Sequence, residues 1–538
     1  AGGEAHCALS SLGRFWPRSR SLIWGAHVTE DRRNFVLFAV IAALILFGYP
    51  LIQQRFFPTA NPPVTRIEGG KTKIVSHPGA DPTADSPAAI RSRAIVLAET
   101  PRVRIQTPRL QGSINLRGAR IDDLVLVNYK ETIAKNSPPI RLLSPGGAPE
   151  AYFAMFGWQD NGLAPPPADA VWTASAPQLV PGRPVHLDAA NAAGQRFRIE
   201  IAVDDKYMFT IRQTVLNAGR APVPVAAYGL VNRAGVSKDP STWTIHTGPM
   251  SVHGGHADYS IKFDHVDEAP QRFSSTGGWL GFTDKYWLAA LVPDQAHPFD
   301  GQFRAGGDTG PSRTYQADYA PQPQLLAPGR SITQTSRFFA GAKEVNILQA
   351  YQNQGVPQLD NAIDWGWFWF FEKPIFAYLD WLFRMIGNFG LAIILLTLTI
   401  KALTFPIAQR QFASMAAMRA IQPKMKAIQD RYKEDKVRQQ QEIMALYKQE
   451  KVNPVAGCLP TLIQVPIFYA LYKVLLVTIE MRHQPFVAWI KDLSAPDPLT
   501  PVNLFGLLDF TPPSFIALGV VPILLGISMF FQFRLNPQ

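Results

Sequence analysis

Cysteine is nearly absent from this chain. The two residues, Cys7 and Cys458, lie in the leader region and in an apolar run, which excludes a disulfide framework and a cysteine-based zinc site. Charge is also scarce: 17% of the 538 residues are charged against 47% hydrophobic, a membrane-leaning balance for a chain long enough for several domains. Acids are the rarer sign, with 41 Asp and Glu against 52 Lys and Arg, giving a net charge of +11. Such an excess fits either the basic cytoplasmic loops of a membrane protein or a nucleic-acid binder, and the positions of the charges must decide. Mean hydropathy of -0.01 shows that the apolar residues are gathered into blocks. No carboxylate pair stands out as catalytic. His246, His253, His256 and His265, with Asp258 and Asp264, are the one cluster that invites metal chemistry. Their spacing matches no zinc signature, and the glycines of HGGH mark a surface loop.

The blocks are distinct in texture. Residues 1–27 differ from the rest of the chain, and Val28 stands where an initiator would be natural, so 1–27 reads as a non-native extension. Phe35–Ile52 is apolar and uncharged behind Arg32 and Arg33. With no small-residue cleavage site after it, 28–56 reads as an uncleaved first anchor whose start is cytoplasmic. Residues 57–99, rich in Pro, Ala, Thr and Ser, read as a flexible linker. From 100 to 345, period-2 segments such as RFRIEIAVDD alternate with Gly, Pro and Asn turns. This pattern predicts an all-β sandwich outside the cytoplasm. A sandwich of this size also suits a membrane-anchored carbohydrate-active or carbohydrate-binding protein, which is one rival reading.

Residues 362–388 are heavy in Trp, Phe and Tyr and interrupted by five charges, as expected of an amphipathic helix lying at the interface. Phe389–Ala408 is then long enough to span a bilayer and carries one charge, Lys401. A cation there costs roughly 2.5–3.5 kcal/mol on insertion scales, so it must snorkel, pair, or work in a wet cavity. Thr397, one turn earlier, shares its face. The span is predicted to end at Pro406. Residues 409–453 form a polar helical hairpin with ten Lys and Arg against five acids, its tip at Lys433-Glu434-Asp435. Met415, Met418 and Met425 fall at helical spacing, as a seam between the two arms or a soft binding surface. Residues 455–479 form a third span, bent by Pro460 and Pro466 and carrying Gln464, with Lys473 near enough to its far end to snorkel. The loop 480–514 has four acids and two basic residues, and 515–533 is a fourth span ending near Gln532. Basic excess in the hairpin and none in the loop places the hairpin in the cytoplasm and argues against DNA as a partner. A channel or transporter is the second rival.

The segments DWGWFWFFEKPIF (364–376), IGNFG (386–390) and QEIMALYK…KVNPVAGCLPTLIQVPIFYALY (441–472) are specific in content and order. On them the chain resembles the YidC membrane protein insertases of Gram-negative bacteria, within the YidC/Oxa/Alb family. The resemblance covers roughly 28–538. It implies a multi-domain inner-membrane protein: a periplasmic β-supersandwich and a helical core around a hydrophilic groove open to the cytoplasm. It also implies no catalytic residue, metal or cofactor. The family's single basic groove residue maps onto Lys401, Thr397 and Gln532 match polar groove positions, and Gln464 is a further groove candidate. Leu462, Ile463, Pro466, Ile467, Phe468 and Leu471 would line the substrate slide. The implied partners are nascent membrane proteins, the Sec translocon, the ribosome, the signal recognition particle receptor and membrane lipids. The family carries six spans, of which four are expected here. Residues 534–538 read as the start of a truncated cytoplasmic loop.

Overall fold

The computed structural model describes residues 65–68, 71–74, 90–239, 241–242, 244–307, 313–450, 459–508, 510, 513 and 516–535. The expected extension 1–27, the first anchor 28–56, both cysteines and Asn453-Pro454 lie outside them. So do the side chains of Met415, Pro460 and Ile463, the start of the fourth span at Phe515, and residues 536–538.

Part of the expected linker is regular structure. Thr65–Glu68 and Lys71–Ile74 pair as an antiparallel hairpin. Helix α1, Arg93–Ala98, buries Val96 and pairs Arg93 with Asp123 of the β domain. The short apolar run AIVLA inside a polar stretch is the local reason.

Strands from Arg102 to Ala342 form two large sheets, one of nine strands and one of ten. The alternation read from the sequence is physical: in Gln195–Val203 every second residue is buried. The sheets meet face to face through aromatic pairs, Trp158 with Phe197 at 5.1 Å and Phe156 with Phe338 at 6.1 Å between ring centres. Gly281 is demanded by close packing, because a Cβ there would sit 2.1 Å from the Ala289 carbonyl oxygen. A short helix, α2 (Phe263–Glu268), lies beside the ten-stranded sheet and buries Phe263 and Val266.

Helix α3, Val345–Asn353, leaves the last strand and stays on the β domain. Its Tyr351 hydroxyl donates to Asp204 at 2.5 Å and accepts from the Tyr207 amide at 3.1 Å. Helix α4, Trp369–Ile386, ends at Gly387, whose φ of 73° suits a left-handed C-cap. Asn388 then caps α5, its side chain accepting from the Leu391 amide at 3.1 Å. Helix α5 runs unbroken from Phe389 to Arg431, 43 residues. The expected span and the first arm of the expected hairpin are thus one helix, with Pro406 and Pro423 inside it. A proline removes one intrahelical hydrogen bond and crowds the previous turn, which bends a helix without having to end it. The Thr404 hydroxyl caps carbonyls in that turn, donating to Ile400 O at 2.9 Å.

After a turn at Tyr432–Asp435, Asp435 caps α6, Lys436–Gln449, by accepting from the Arg438 amide at 3.0 Å. Helix α7 is Leu459–Val477 and α8 is Val520–Leu535. Helices α4, α5 and α7 pack together, burying Phe376, Leu379, Phe389, Leu396 and Val474 in one continuous core. Helix α8 buries none of its described side chains and is tethered at its start, where the Val521 amide donates to Asp497 at 3.4 Å. Among the described residues α5 alone is long and apolar enough to cross a membrane; Gln464–Val477 and Val520–Leu535 are shorter apolar helices.

Candidate substrate groove

Lys401 projects from α5 toward α7. Its Nζ donates to Gln464 Oε1 at 3.2 Å and lies 5.7 Å from the Phe468 ring centre. Gln464 and Phe468 are four residues apart, hence on one face of α7. That face is the one turned to Lys401. The lysine is exposed, and among the described residues no carboxylate pairs with it. One neutral acceptor and one aromatic face hold the ammonium in place while leaving its charge uncompensated. Thr397 is one turn away on α5, its hydroxyl satisfied by Ile393 O at 2.9 Å. Leu462 and Phe468 are half exposed, with Pro466, Ile467 and Leu471 partly covered beside them. Gln532, exposed on α8, makes no hydrogen bond to Lys401, Thr397 or Gln464 among the described residues.

Lys473 departs from its reading as a snorkelling residue. It is 2% exposed, and its Nζ lies 3.2 Å from Asp364 Oδ1. Asp364 Oδ2 also accepts from the amide of His246, so one carboxylate joins the β domain to α7. Nearby Glu372 is 0% exposed with neither carboxylate oxygen hydrogen-bonded. Burial pushes its acid up to about 8, with Asp364 adding to the rise and Lys473 opposing it. Sequence reasoning missed this cluster because Asp364 and Lys473 are 109 residues apart and only their burial reveals the pairing. A lysine in the middle of LYKVLLV was the available signal.

The β domain is fastened to the far end of α7. The Val345 amide donates to Glu480 Oε1 at 2.9 Å, and burial raises that acid to about 7. Arg482 donates to Lys130 O at 2.8 Å and Glu131 O at 3.3 Å, and its guanidinium lies 5.5 Å from the Trp287 ring centre. At the other end of the core, α5 and α6 form the hairpin. Ile421 and Leu446 are buried in its seam, the Tyr447 hydroxyl reaches Met425 Sδ at 3.1 Å, and Lys424 pairs with Glu450 at 2.7 Å. Met418 is partly covered, and Lys433, Glu434 and Asp435 stand exposed at the turn.

The histidines of the HGGH region serve the β fold. His246 is buried with Nε2 2.9 Å from Pro249 O, and His253 stacks on Phe273 at 4.4 Å. Among the described residues no group of three His, Cys, Asp or Glu side chains is placed to hold a metal ion.

Residues 102–378 match the family profile described as YidC periplasmic domain, and 381–538 match the 60Kd inner membrane protein profile. A relative from Zymomonas mobilis named Membrane protein insertase YidC is 49% identical over 514 residues, covering 95% of this chain and 87% of its own length. One from Beijerinckia indica with the same name is 45% identical over 538 residues, covering 95% of this chain and 88% of its own. Among solved structures, a galactose mutarotase related enzyme from Lactobacillus acidophilus aligns with 45% of this chain and 97% of its own. Its identity is 8% and its TM-score 0.31, too distant to bear on function.

Proposed function

The chain belongs to the YidC family of membrane protein insertases, and we propose that it inserts nascent inner-membrane proteins through a hydrophilic groove centred on Lys401. The observation that carries this reading is an exposed ammonium between α5 and α7, held by Gln464 and, among the described residues, left without a counter-charge. The mechanism needs no covalent step. A polar tail of the client enters the wet groove, where Lys401 attracts its acidic groups. The groove shortens the low-dielectric path that the tail must cross, which is the costly part of translocation. The apolar segment slides along Leu462, Ile463, Pro466, Ile467, Phe468 and Leu471 and leaves sideways into lipid. Each methylene it withdraws from water contributes about 0.8 kcal/mol.

Four spans in a multi-pass topology go with this reading, with the β domain in the periplasm and the α5–α6 hairpin in the cytoplasm. The charge balance supports that orientation, with ten basic residues in Gln409–Lys451 against two in the 480–514 loop. Thr397 and Gln532 complete the polar lining of this groove. The basic hairpin is the surface for the ribosome, the signal recognition particle receptor or the Sec translocon. Site-specific photocrosslinkers along α7 test the path: a stalled nascent membrane protein should crosslink at Leu462, Phe468 and Leu471. Crosslinks confined to the outer face of α8 would remove the reading.

A further inference from the structure

The polar edge of α4 is not used by the groove. Lys373, Asp380 and Arg384 share one face of that helix, at steps of seven and four residues. This face borders a cavity of about 290 Å³ whose other walls include Asn346 of α3 and Trp365. Charges of both signs line it. Lys373 Nζ lies 2.6 Å from Asp360 Oδ2 and 6.0 Å from the Trp365 ring centre. Arg384 Nη2 lies 2.8 Å from Asp380 Oδ2, which also accepts from Asn346 at 3.3 Å. The Arg384 side chain is 64% exposed, so guanidinium donors beyond the one given to Asp380 face outward.

The next face round α4 carries Phe370, Trp381 and Met385, which are 48%, 53% and 66% exposed. The face beyond, with Glu372, Phe376 and Leu379, is buried in the helical core. The cavity therefore sits at the boundary between a charged strip and a bare aromatic one. That is the geometry of a phospholipid, which carries a charged head on an apolar tail.

We propose that this cavity binds the headgroup of a zwitterionic phospholipid of the ethanolamine type, from the leaflet on which α4 lies. The phosphate sits on Arg384, the ammonium on Asp380 and the Trp381 ring, and the acyl chains on Phe370 and Met385. Charge complementarity selects this occupant. A purely anionic headgroup would meet Asp380 and Asp360 as well as the cations, and a free phosphate would leave the aromatic strip bare. The proposal rests on the functional reading above and on the interfacial position that the sequence predicts for α4.

Native mass spectrometry of the full chain titrated with dioleoyl phosphatidylethanolamine or dioleoyl phosphatidylglycerol tests it. The unsubstituted protein should retain the ethanolamine lipid in preference. An Arg384→Gln variant should bind it about tenfold more weakly, the scale of one lost charge-assisted contact. Asp380→Asn should invert the preference toward phosphatidylglycerol, because Arg384 then faces the lipid without its carboxylate. Unchanged retention in Arg384→Gln, or a glycerol-lipid preference in the unsubstituted protein, overturns the site. Client insertion into liposomes is followed in parallel. Insertion without lipid preference removes the lipid site and leaves the groove, whereas lipid preference without insertion supports the site and counts against the groove.

Discussion

Lys401 and Lys473 are two lysines in apolar helices with opposite settings. Among the described residues Lys401, exposed, hydrogen-bonds only a neutral amide, so its charge is available to a third party. Lys473 is buried against Asp364, so its charge is consumed by the fold. In liposome insertion assays with clients bearing acidic tails, Lys401→Glu should lower the yield tenfold or more, on the order of one charge-assisted contact turned repulsive. Lys401→Arg should keep most of the activity. Equal yields for Glu and Arg would remove the charge from the mechanism. Lys473→Ala should instead act on stability, by about 2 kcal/mol, since it leaves the largely covered Asp364 carboxylate without its cation. Glu372 adds a pH signature. Its acid is about 8 when folded against an ordinary 4.5, so the folded state holds the proton more tightly. Its favourable term is whole below about 4.5 and is lost as pH rises toward 8. Thermal midpoints should therefore fall from pH 5 to 8 in the parent and fall less in Glu372→Gln; parallel curves would sink this. The exposed cation was legible in the sequence because an isolated charge in an apolar span must be accounted for. The buried cluster was not, because its partners converge only in three dimensions.

Helices α5 and α6 show what local pattern can and cannot carry. The hairpin tip was legible in Lys433-Glu434-Asp435, and Asp435 is the N-cap of α6. The continuity of α5 was not, because proline lowers helix propensity without forbidding a kinked helix. The two-sheet β domain was readable from its period-2 runs, but the order of its strands depends on long-range pairing such as Met208–Asn217 with Ser331–Ala342. Seam residues set the stability of the hairpin. Leu446→Ala should destabilise it by about 2 kcal/mol, the low end for a buried leucine because only two helices enclose it. Faster hydrogen exchange confined to Lys436–Gln449 would be its mark. Gly390 sets the approach of α5 to the segment after α7, since a Cβ there would lie 2.1 Å from the Phe486 ring. Gly390→Ala should push the two apart and lower the thermal midpoint, and an unchanged midpoint would refute the close contact.

For the whole molecule, β domain and helical core share one apolar cluster, and a set of polar contacts fastens its edge. The contacts of this joint are Glu480 under Val345, Arg482 on two carbonyls and the Trp287 ring, and Asp364 bridging His246 to Lys473. Arg482→Ala should loosen it by about 2 kcal/mol, the scale of two charge-assisted hydrogen bonds offset by solvation. Exchange should rise at Lys130, Glu131 and Val345 while the interior of the sheets stays protected. If those amides exchange as before, the joint is held elsewhere. The unbroken 43-residue run of α5 gives the molecule a mechanical property as well. At about 1.5 Å per residue it is roughly 65 Å long, twice the ~30 Å thickness of a hydrocarbon layer. The thirty residues from Lys401 to Arg431 thus form a lever arm of about 45 Å. A tilt of about 10° at the groove sweeps the hairpin tip through roughly 8 Å, and a partner that pins the tip restrains the groove by the same geometry.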